Sequence, residues 1–230
     1  LKTEKIIPVS LGHNITPNIV SIANVDDKYI IVGTKQDGSF AVDSNTIIRL
    51  DIPSNMVINQ IHASSIYSVW LAIDNQIWRY NLDTHEKDLI WTHDINYGEN
   101  SKILDFVVVN ANQIFAIVNN TGLYQLDHKA GQWHSTLHQH NSQALNSISV
   151  NTLQTLLLDT TGTLWIGTGY SGIDKLNLSH QYFTHYYDYQ THVPEMANMV
   201  RSIFRDKQQR LWIGTDGAGA KYLAPLDNQY

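Results

Sequence analysis

Short apolar stretches bounded by turn-forming residues recur along the whole chain. Val69–Ile73 and Leu164–Thr168 are rich in the aromatic and β-branched residues that favour strands. Thr34–Gly38 and Asn119–Gly122 supply the Asn, Asp and Gly residues that tolerate the positive φ of hairpin turns. No stretch sustains the i, i+3, i+4, i+7 apolar spacing of an amphipathic helix. The pattern therefore predicts an all-β fold.

Two segments of the chain are copies of one another. Asp159–Thr168 reads DTTGTLWIGT, and Asp206–Thr215 reads DKQQRLWIGT. The offset is 212 − 165 = 47 residues, measured between the two tryptophans. The same offset relates Leu153 to Val200 and Leu176 to Leu223. An offset that holds over so many positions indicates a structural repeat.

Weaker copies precede these two, so that one position carries a large apolar residue in every unit. These anchor residues are Ile31, Trp70, Phe115, Trp165 and Trp212, at steps of 39, 45, 50 and 47 residues. Repeats of about 45 residues with up to four short strands are typical of propeller blades. The sequence thus predicts a β-propeller of five blade-like units with up to four antiparallel strands each, over residues 11–58, 59–101, 102–146, 147–195 and 196–230.

The recurring residues have a structural interpretation. We expect the anchor aromatic residue to fill the wedge between blades, the glycine two residues later to let the next strand approach closely, and the following threonine to favour strand structure. We expect the carboxylates of Asp159 and Asp206 to accept backbone N–H groups in turns. The structural anchors assigned in this way are Trp70, Phe115, Trp165, Gly167, Thr168, Trp212, Gly214 and Thr215.

Two arrangements of the units remain open: a fragment of a seven-bladed ring, or a five-bladed closed ring. In the closed ring, residues 4–10 would add the outer strand that the last unit lacks, and Pro8 would suit that edge position. In an open arc, the exposed blade faces would favour association with a second copy. Because there is no initiator methionine or signal-peptide pattern at Leu1, we interpret residues 1–230 as one propeller domain or partial propeller cut from a longer protein.

Composition argues against several classes of function. The net charge is −6, from 15 basic and 21 acidic residues, which is unfavourable for a nucleic-acid binder. Cysteine is absent, so disulfides, cysteine-containing zinc sites and cysteine nucleophiles are excluded. Sequence motifs for a nucleophilic serine, a phosphate-binding loop or a zinc protease are missing. We therefore expect no catalysis within this chain and no cofactor.

Histidine is the remaining candidate for metal chemistry. His134, His138 and His140 share the parity of an extended strand and could point to one side of it. The segment contains no carboxylate to complete a ligand set. We therefore expect a polar outer strand there and predict no metal site.

The hairpin connections on one face of a propeller converge on the central channel, where ligands usually bind. A Tyr-rich stretch, Tyr182–Tyr189, adds aromatic faces beside Asp and His, which suit a sugar or a partner loop. We call the set that repeat position assigns to this face the predicted hairpin face. Its members are Lys35, Gln36, Asn75, Asn119, Asn120, Tyr170, Tyr187, Asp188 and Asp216.

The string DTTGTLWIGT, followed by Gly172 and a short strand ending at Leu176, resembles the two-component regulator propeller repeat. The copy at Asp206–Leu223 matches with Gln209 in place of the first glycine, and the resemblance covers roughly residues 150–223. It implies seven-bladed propellers in the periplasmic sensor regions of bacterial membrane receptors. The cytoplasmic half of such receptors is a histidine kinase or a diguanylate cyclase, and some members sense carbohydrates. Five units are fewer than that ring requires.

The resemblance therefore implies a non-catalytic periplasmic sensor region of a bacterial transmembrane signalling receptor. It implies a small-molecule or carbohydrate ligand, a homodimer through propeller faces or edges, and membrane contact only through segments outside this chain. Two alternatives stay open: a protein-interaction scaffold, and a carbohydrate-active propeller enzyme. An enzyme would need a converging acid/base pair, for which the sequence offers only the scattered Asp37 and Asp216.

Overall fold

Five antiparallel sheets follow one another along the chain in a computed structural model. The structure describes residues 18–25, 29–35, 37–43, 46–52, 58–65, 68–94, 101–144, 146–179, 182–186 and 198–223. Within these residues, four sheets have four strands and the last has three. Each sheet is a meander, because its strands are hydrogen-bonded in chain order. The predicted all-β propeller of five blade-like units is confirmed, and each sheet is one blade.

The strands are short, as expected for blades. The first two blades contain β1 Ile19–Val25, β2 Tyr29–Thr34, β3 Ser39–Val42, β4 Ile47–Arg49, β5 Ile58–Ser65, β6 Ser68–Ile73, β7 Gln76–Asn81 and β8 Lys87–Thr92. The other three contain β9 Ile103–Asn110, β10 Gln113–Val118, β11 Gly122–Lys129, β12 Gln132–His138, β13 Leu153–Leu158, β14 Thr163–Thr168, β15 Ile173–Asn177, β16 Tyr182–Tyr186, β17 Val200–Arg205, β18 Leu211–Thr215 and β19 Ala220–Leu223.

The pairing of the first two strands repeats from blade to blade. In the fourth blade Leu153 pairs with Thr168, and the register then shifts so that Thr155 faces Gly167. The fifth blade has the same shift between Val200 and Ser202. The first and second blades also shift near the start of their first strand. The same pairing geometry therefore occurs both in blades that carry the repeated string and in blades that lack it.

The chain divides into two compact units. The first comprises Leu1–Asp74 and Trp78–Asp88, and the second comprises Asn75–Ile77 and Leu89–Tyr230. The core of the first unit joins Ile31 and Ala41 of the first blade to Ile58, Ile61 and Leu71 of the second. All five side chains are buried, so the inner strands of these blades share one apolar layer.

The described residues of the second unit form two inter-blade cores. Phe115 lies in the core between the third and fourth blades, and Trp165 lies in the core between the fourth and fifth. A buried carboxylate reinforces the first of these interfaces. The Leu156 amide and the Thr155 hydroxyl donate to Asp105 Oδ2 at 2.8 and 3.0 Å. Phe115 and Trp165 thus lie where the repeat places a wedge-filling ring.

The predicted closing strand at residues 4–10 lies outside the described residues. No described residue belongs to a helix that is long and apolar enough to cross a membrane.

Candidate functional site

The hairpin between the second and third strands closes in the same way in three blades. In the fourth blade the Thr168 hydroxyl donates to the Gly172 carbonyl oxygen at 2.8 Å and accepts the Ser171 amide at 2.8 Å. Equivalent contacts are made by Thr34 with Gly38 and Asp37, and by Thr215 with Gly219 and Ala218. The repeated threonine therefore fixes the turn through its hydroxyl as well as favouring the strand.

The described members of the predicted hairpin face lie in the turns between the second and third strands of the five blades, at one end of their own sheets. Lys35 and Asn120 are exposed, as is Tyr170, with 56% of its surface accessible. The described contacts of the other members stay within one blade. The six members with described positions are Lys35, Asn75, Asn119, Asn120, Tyr170 and Asp216. Gln36, Tyr187 and Asp188 lie outside the described residues.

Local contacts hold several of these turns in place. Asn75 Nδ2 donates to the His93 carbonyl oxygen at 2.8 Å, and the Asn119 amide donates to the Lys102 carbonyl oxygen at 2.9 Å. Asp216 accepts the Arg201 guanidinium, with Nε 3.1 Å from Oδ2. Asp216 therefore forms an ion pair with a cation on its own blade, and in this structure its carboxylate is engaged there.

The fourth blade contains a buried clasp between a carboxylate and the anchor indole. The Trp165 indole N–H donates to Asp159 Oδ2 at 2.8 Å, while Oδ1 accepts the amides of Thr161 and Thr163. The side chain of Asp159 is 1% exposed. Arg205, on the first strand of the fifth blade, reaches the same Oδ2 at 3.0 Å and lies 5.8 Å from the indole centroid. One carboxylate therefore fixes a turn, an anchor and the next blade.

The fifth blade repeats the clasp. The Trp212 indole N–H donates to Asp206 Oδ2 at 2.7 Å, and Oδ1 accepts the amides of Gln208 and Arg210. The Arg210 guanidinium, on the same blade, supplies the cation, with Nε 2.6 Å from Oδ2. Trp165 and Trp212 therefore make the same indole–carboxylate contact, but Trp165 is buried under the next blade whereas Trp212 is half-buried. The Asp-x5-Trp spacing was visible in both copies, but sequence reasoning assigned the carboxylates to backbone amides only.

These contacts set the charge of both carboxylates. Burial alone raises the pKa of each, but hydrogen bonds from the turn and the indole outweigh that effect. The pKa of Asp159 is lowered, and the pKa of Asp206 falls to about 2. Both groups are anionic at neutral pH, as their partners require.

Gly167 allows three chain segments to meet. A Cβ atom added to it would lie 2.7 Å from Thr155 Cγ2 in the neighbouring strand and 2.7 Å from Val200 Cγ1 in the fifth blade. Both distances are shorter than ordinary contacts between carbon atoms. The glycine is therefore required for close approach within and between blades.

Three of the described histidines make local contacts. His138 Nε2 is 3.1 Å from Gln125 Oε1, and His140 Nδ1 is 3.0 Å from the Ile148 carbonyl oxygen. His185 Nδ1 is 2.6 Å from Oδ1 of Asp174, a fully buried carboxylate that sequence reasoning did not select. Among the described residues, no group of three His, Asp or Glu side chains is arranged to hold a metal ion.

Solved structures share the fold of this chain over most of its length, whereas a family model matches one short segment of it. Solved structures with the same fold include extracellular domains assigned to two hybrid two component systems of B. thetaiotaomicron. One has a TM-score of 0.66 at 16% identity, over 93% of this chain and 27% of that one. The other has a TM-score of 0.67 at 17% identity, over 92% and 29%. This chain thus spans less than a third of the length of either.

An enzyme shares the fold as well. Virginiamycin B lyase from Staphylococcus aureus has a TM-score of 0.65 at 13% identity, over 94% of this chain and 72% of the lyase. Identities this low establish the propeller fold alone. Among curated proteins, none matches this chain.

A family model matches the chain in its last blade. Residues 194–217 match the family model described as two component regulator propeller. That segment contains Asp206, Trp212, Gly214 and Thr215, which belong to the second of the two copies on which the resemblance was based. Residues 194–217 are therefore a two component regulator propeller repeat, carried on a chain with the β-propeller fold.

Proposed function

We propose that this chain is the non-catalytic sensor region of a bacterial transmembrane signalling receptor. The observation that carries the proposal is the regulator propeller repeat at residues 194–217, whose clasp and anchor recur in the fourth blade. The extracellular domains of hybrid two component systems that share the fold support the same assignment. The output domain, a histidine kinase or alternatively a diguanylate cyclase, would belong to another part of the same protein.

The proposed location is the periplasm. It is tested by joining alkaline phosphatase or β-galactosidase to this region within the intact gene. Phosphatase folds actively only outside the cytoplasm and β-galactosidase only inside it, so we expect an active phosphatase fusion and an inactive galactosidase fusion. The opposite pattern would contradict the location without bearing on the fold.

The proposed ligand surface is the predicted hairpin face. Lys35, Asn120 and Tyr170 are its exposed members and the first to be replaced by alanine. Replacement should weaken binding of a ligand found by thermal-shift screening, because specific binding stabilises the folded state in proportion to occupancy. Asn112 and Gln208 are matched controls, since they are exposed turn residues at the opposite end of their sheets. If every hairpin variant bound the ligand with the same affinity as the wild-type protein, the predicted hairpin face would be ruled out as the binding surface.

A second candidate function is association with a second copy. On the fifth blade, Phe204 is 63% exposed and Tyr222 is 54% exposed, whereas their repeat equivalents Leu157 and Lys175 lie where the next blade packs. On the first blade, Ile22 and Ile30 are 64% and 48% exposed. A second copy is a suitable partner because each chain exposes one apolar face on its first blade and another on its fifth blade. Sedimentation velocity should show a dimer that Phe204→Ser weakens, and a monomer at all concentrations would contradict it.

A further inference from the structure

A cavity of about 110 Å³ lies between the third and fourth blades, within the second compact unit. Phe115 and Leu176 form its apolar floor, and Phe183 closes it from the outer strand of the fourth blade. All three of these side chains are buried. We call this space the inter-blade cleft.

We attribute the cleft to the anchor of the third blade, which is smaller than that of the fourth. Phe115 and Trp165 occupy the same repeat position, since each lies between the first and third strands of its own sheet. In the next wedge the indole is covered by Lys175 and Arg205, which lie 5.4 and 5.8 Å from its centroid. In the third blade a phenyl ring leaves that volume unfilled. Sequence reasoning treated the two anchors as equivalent and did not predict this difference.

The wall formed by the third blade is a connected polar network. Gln113 Nε2 donates to Asp127 Oδ1 at 2.9 Å, and Gln125 Nε2 donates to Asp127 Oδ2 at 3.0 Å. Because a carboxylate only accepts, these contacts fix the orientation of both amides. Gln125 Oε1 then faces His138 Nε2, which must donate. A neutral His138 therefore has Nδ1 as an acceptor, and Gln113 keeps Oε1 as another.

The lining of the cleft has no net charge. Its remaining members, Asn146 and Leu178, are uncharged, and burial lowers the pKa of His138 so that its imidazole is neutral at pH 7. Asp127 lies behind the amides and is balanced by Lys129, whose Nζ is 3.4 Å from Oδ2. The cleft thus offers hydrogen-bond donors and acceptors on one side and an apolar surface on the other. An ionic ligand would find no countercharge in this lining.

We propose that the inter-blade cleft binds one small, uncharged, hydroxyl-bearing ring, such as a monosaccharide unit. Hydroxyl groups both donate and accept, as the Gln113–Gln125–His138 wall requires, and the apolar face of such a ring fits against Phe115, Leu176 and Phe183. The volume suits one ring better than a chain. The proposal rests on the proposed sensor function only in supposing a small-molecule ligand.

The test replaces the small anchor by the large one. Phe115→Trp should fill the cleft with the residue that the fourth and fifth blades already use at this position, so the fold should be kept. Wild-type protein is screened by thermal shift with glucose, galactose, mannose and xylose. Maltotriose and cellotriose test whether the cleft binds the terminal unit of an oligosaccharide. A saturating compound should raise the midpoint by about 5 to 10 °C. Phe115→Trp should abolish that rise.

Three controls keep the outcome interpretable. Gln113→Met retains the shape of the wall and should weaken binding about tenfold, through loss of one buried hydrogen bond. Trp165→Phe makes the reverse substitution in the wedge between the fourth and fifth blades, and should lower stability without changing affinity. Glucuronate tests the neutral lining and should bind more weakly than glucose.

The contrary outcomes are equally defined. If no compound of the panel shifts the wild-type midpoint, the cleft holds water only and the proposal is wrong. If a compound binds wild type and Phe115→Trp equally, the ligand lies elsewhere. Loss of that binding on substitution of Lys35, Asn120 or Tyr170 would then support the hairpin face, so that the sensor assignment survives while the cleft is rejected.

Discussion

At the scale of single residues, Asp159 has three structural roles in the fourth blade. It closes a turn, orients the Trp165 indole and holds Arg205 of the following blade. Because the carboxylate is buried, removing it would leave several hydrogen-bond donors without an acceptor. The free energy of unfolding should fall, since an unpaired buried cation and an unsatisfied indole N–H each carry a desolvation penalty.

We therefore expect Asp159→Ala to lower the free energy of unfolding by about 3 to 5 kcal/mol, measured by urea denaturation. Asp51→Ala is the matched control, because it breaks an ion pair with Lys87 whose aspartate side chain is 85% exposed. That control should change stability little. Similar losses in the two variants would show that the clasp is not the stabilising contact.

A second residue-scale prediction concerns the turn of the clasp. Gly162 has φ +76°, and Gln209 at the equivalent position has φ 64°. A Cβ added to Gly162 meets nothing within 4 Å, so only backbone strain opposes a side chain there. Gly162→Ala should cost about 1 kcal/mol.

Gln209→Ala serves as the control for Gly162→Ala. It keeps a Cβ in the same left-handed conformation, and its expected effect is within about 0.5 kcal/mol. A larger loss for Gln209→Ala than for Gly162→Ala in chemical denaturation would contradict the strain argument.

At the scale of strands and turns, much could be predicted from the sequence. The Leu-Trp-Ile-Gly-Thr string predicted the second strand and its hairpin, because aromatic and β-branched residues and turn glycines act locally. The outer strand Ile47–Arg49 was not located, since its three residues are exposed and nothing in the string repeats there. The clasp was also missed, because its indole contact depends on how a turn folds back over the next strand.

The interface between strands of neighbouring blades gives the element-scale prediction. Gly167→Ala should destabilise the protein by about 1 to 3 kcal/mol, because its Cβ overlaps Thr155 and Val200. Val200→Ala in the same chain should recover part of that loss, since it removes one of the two clashes. Differential scanning calorimetry would measure both. Purely additive losses would mean that the fifth blade does not constrain this glycine.

At the scale of the whole molecule, charge couples stability to pH. Burial lowers the pKa of His62, His93 and His138, although Asp94 and Asp127 partly oppose the effect at the last two. A histidine with a depressed folded pKa takes up its proton more readily in the unfolded chain. The contribution of such a histidine to the free energy of unfolding is therefore complete above pH 6.5, its ordinary pKa, and declines as the pH falls below that value.

We predict that the free energy of unfolding decreases from pH 7.5 to pH 5.5. His138→Gln should flatten this dependence, whereas His134→Gln, at an exposed position of the same strand, should not. Asp159 and Asp206 act in a lower range, since depressed carboxylate pKa values give stability that is lost only as the pH falls below 3.8, and for Asp206 as it falls toward about 2. Denaturant titrations across both ranges would measure these effects, and a flat profile down to pH 5.5 would contradict the first.

The candidate sites were predictable to different degrees. The hairpin turns follow from repeat position, so sequence placed Lys35, Asn120 and Tyr170 at sheet ends. The inter-blade cleft was not predictable from the sequence. It depends on the difference in volume between Phe115 and Trp165, and each of these side chains packs against a different neighbouring blade. Repeat alignment identifies equivalent positions, but it does not show which of them are filled.

The ion pair between Asp159 and Arg205 has a consequence for how such chains lengthen. The cation is encoded one repeat downstream of the carboxylate that it serves. A tandem gene duplication of the last repeat would place a copy of Arg205 beside Asp206. Each new interface between blades would therefore contain both the carboxylate and the arginine that pairs with it. Recombination that inserted, directly after the fourth blade, a repeat with leucine at this position, as at Leu158, would leave the buried Asp159 carboxylate without its cation. Growth by whole identical repeats is thus the mutational path that this interface tolerates.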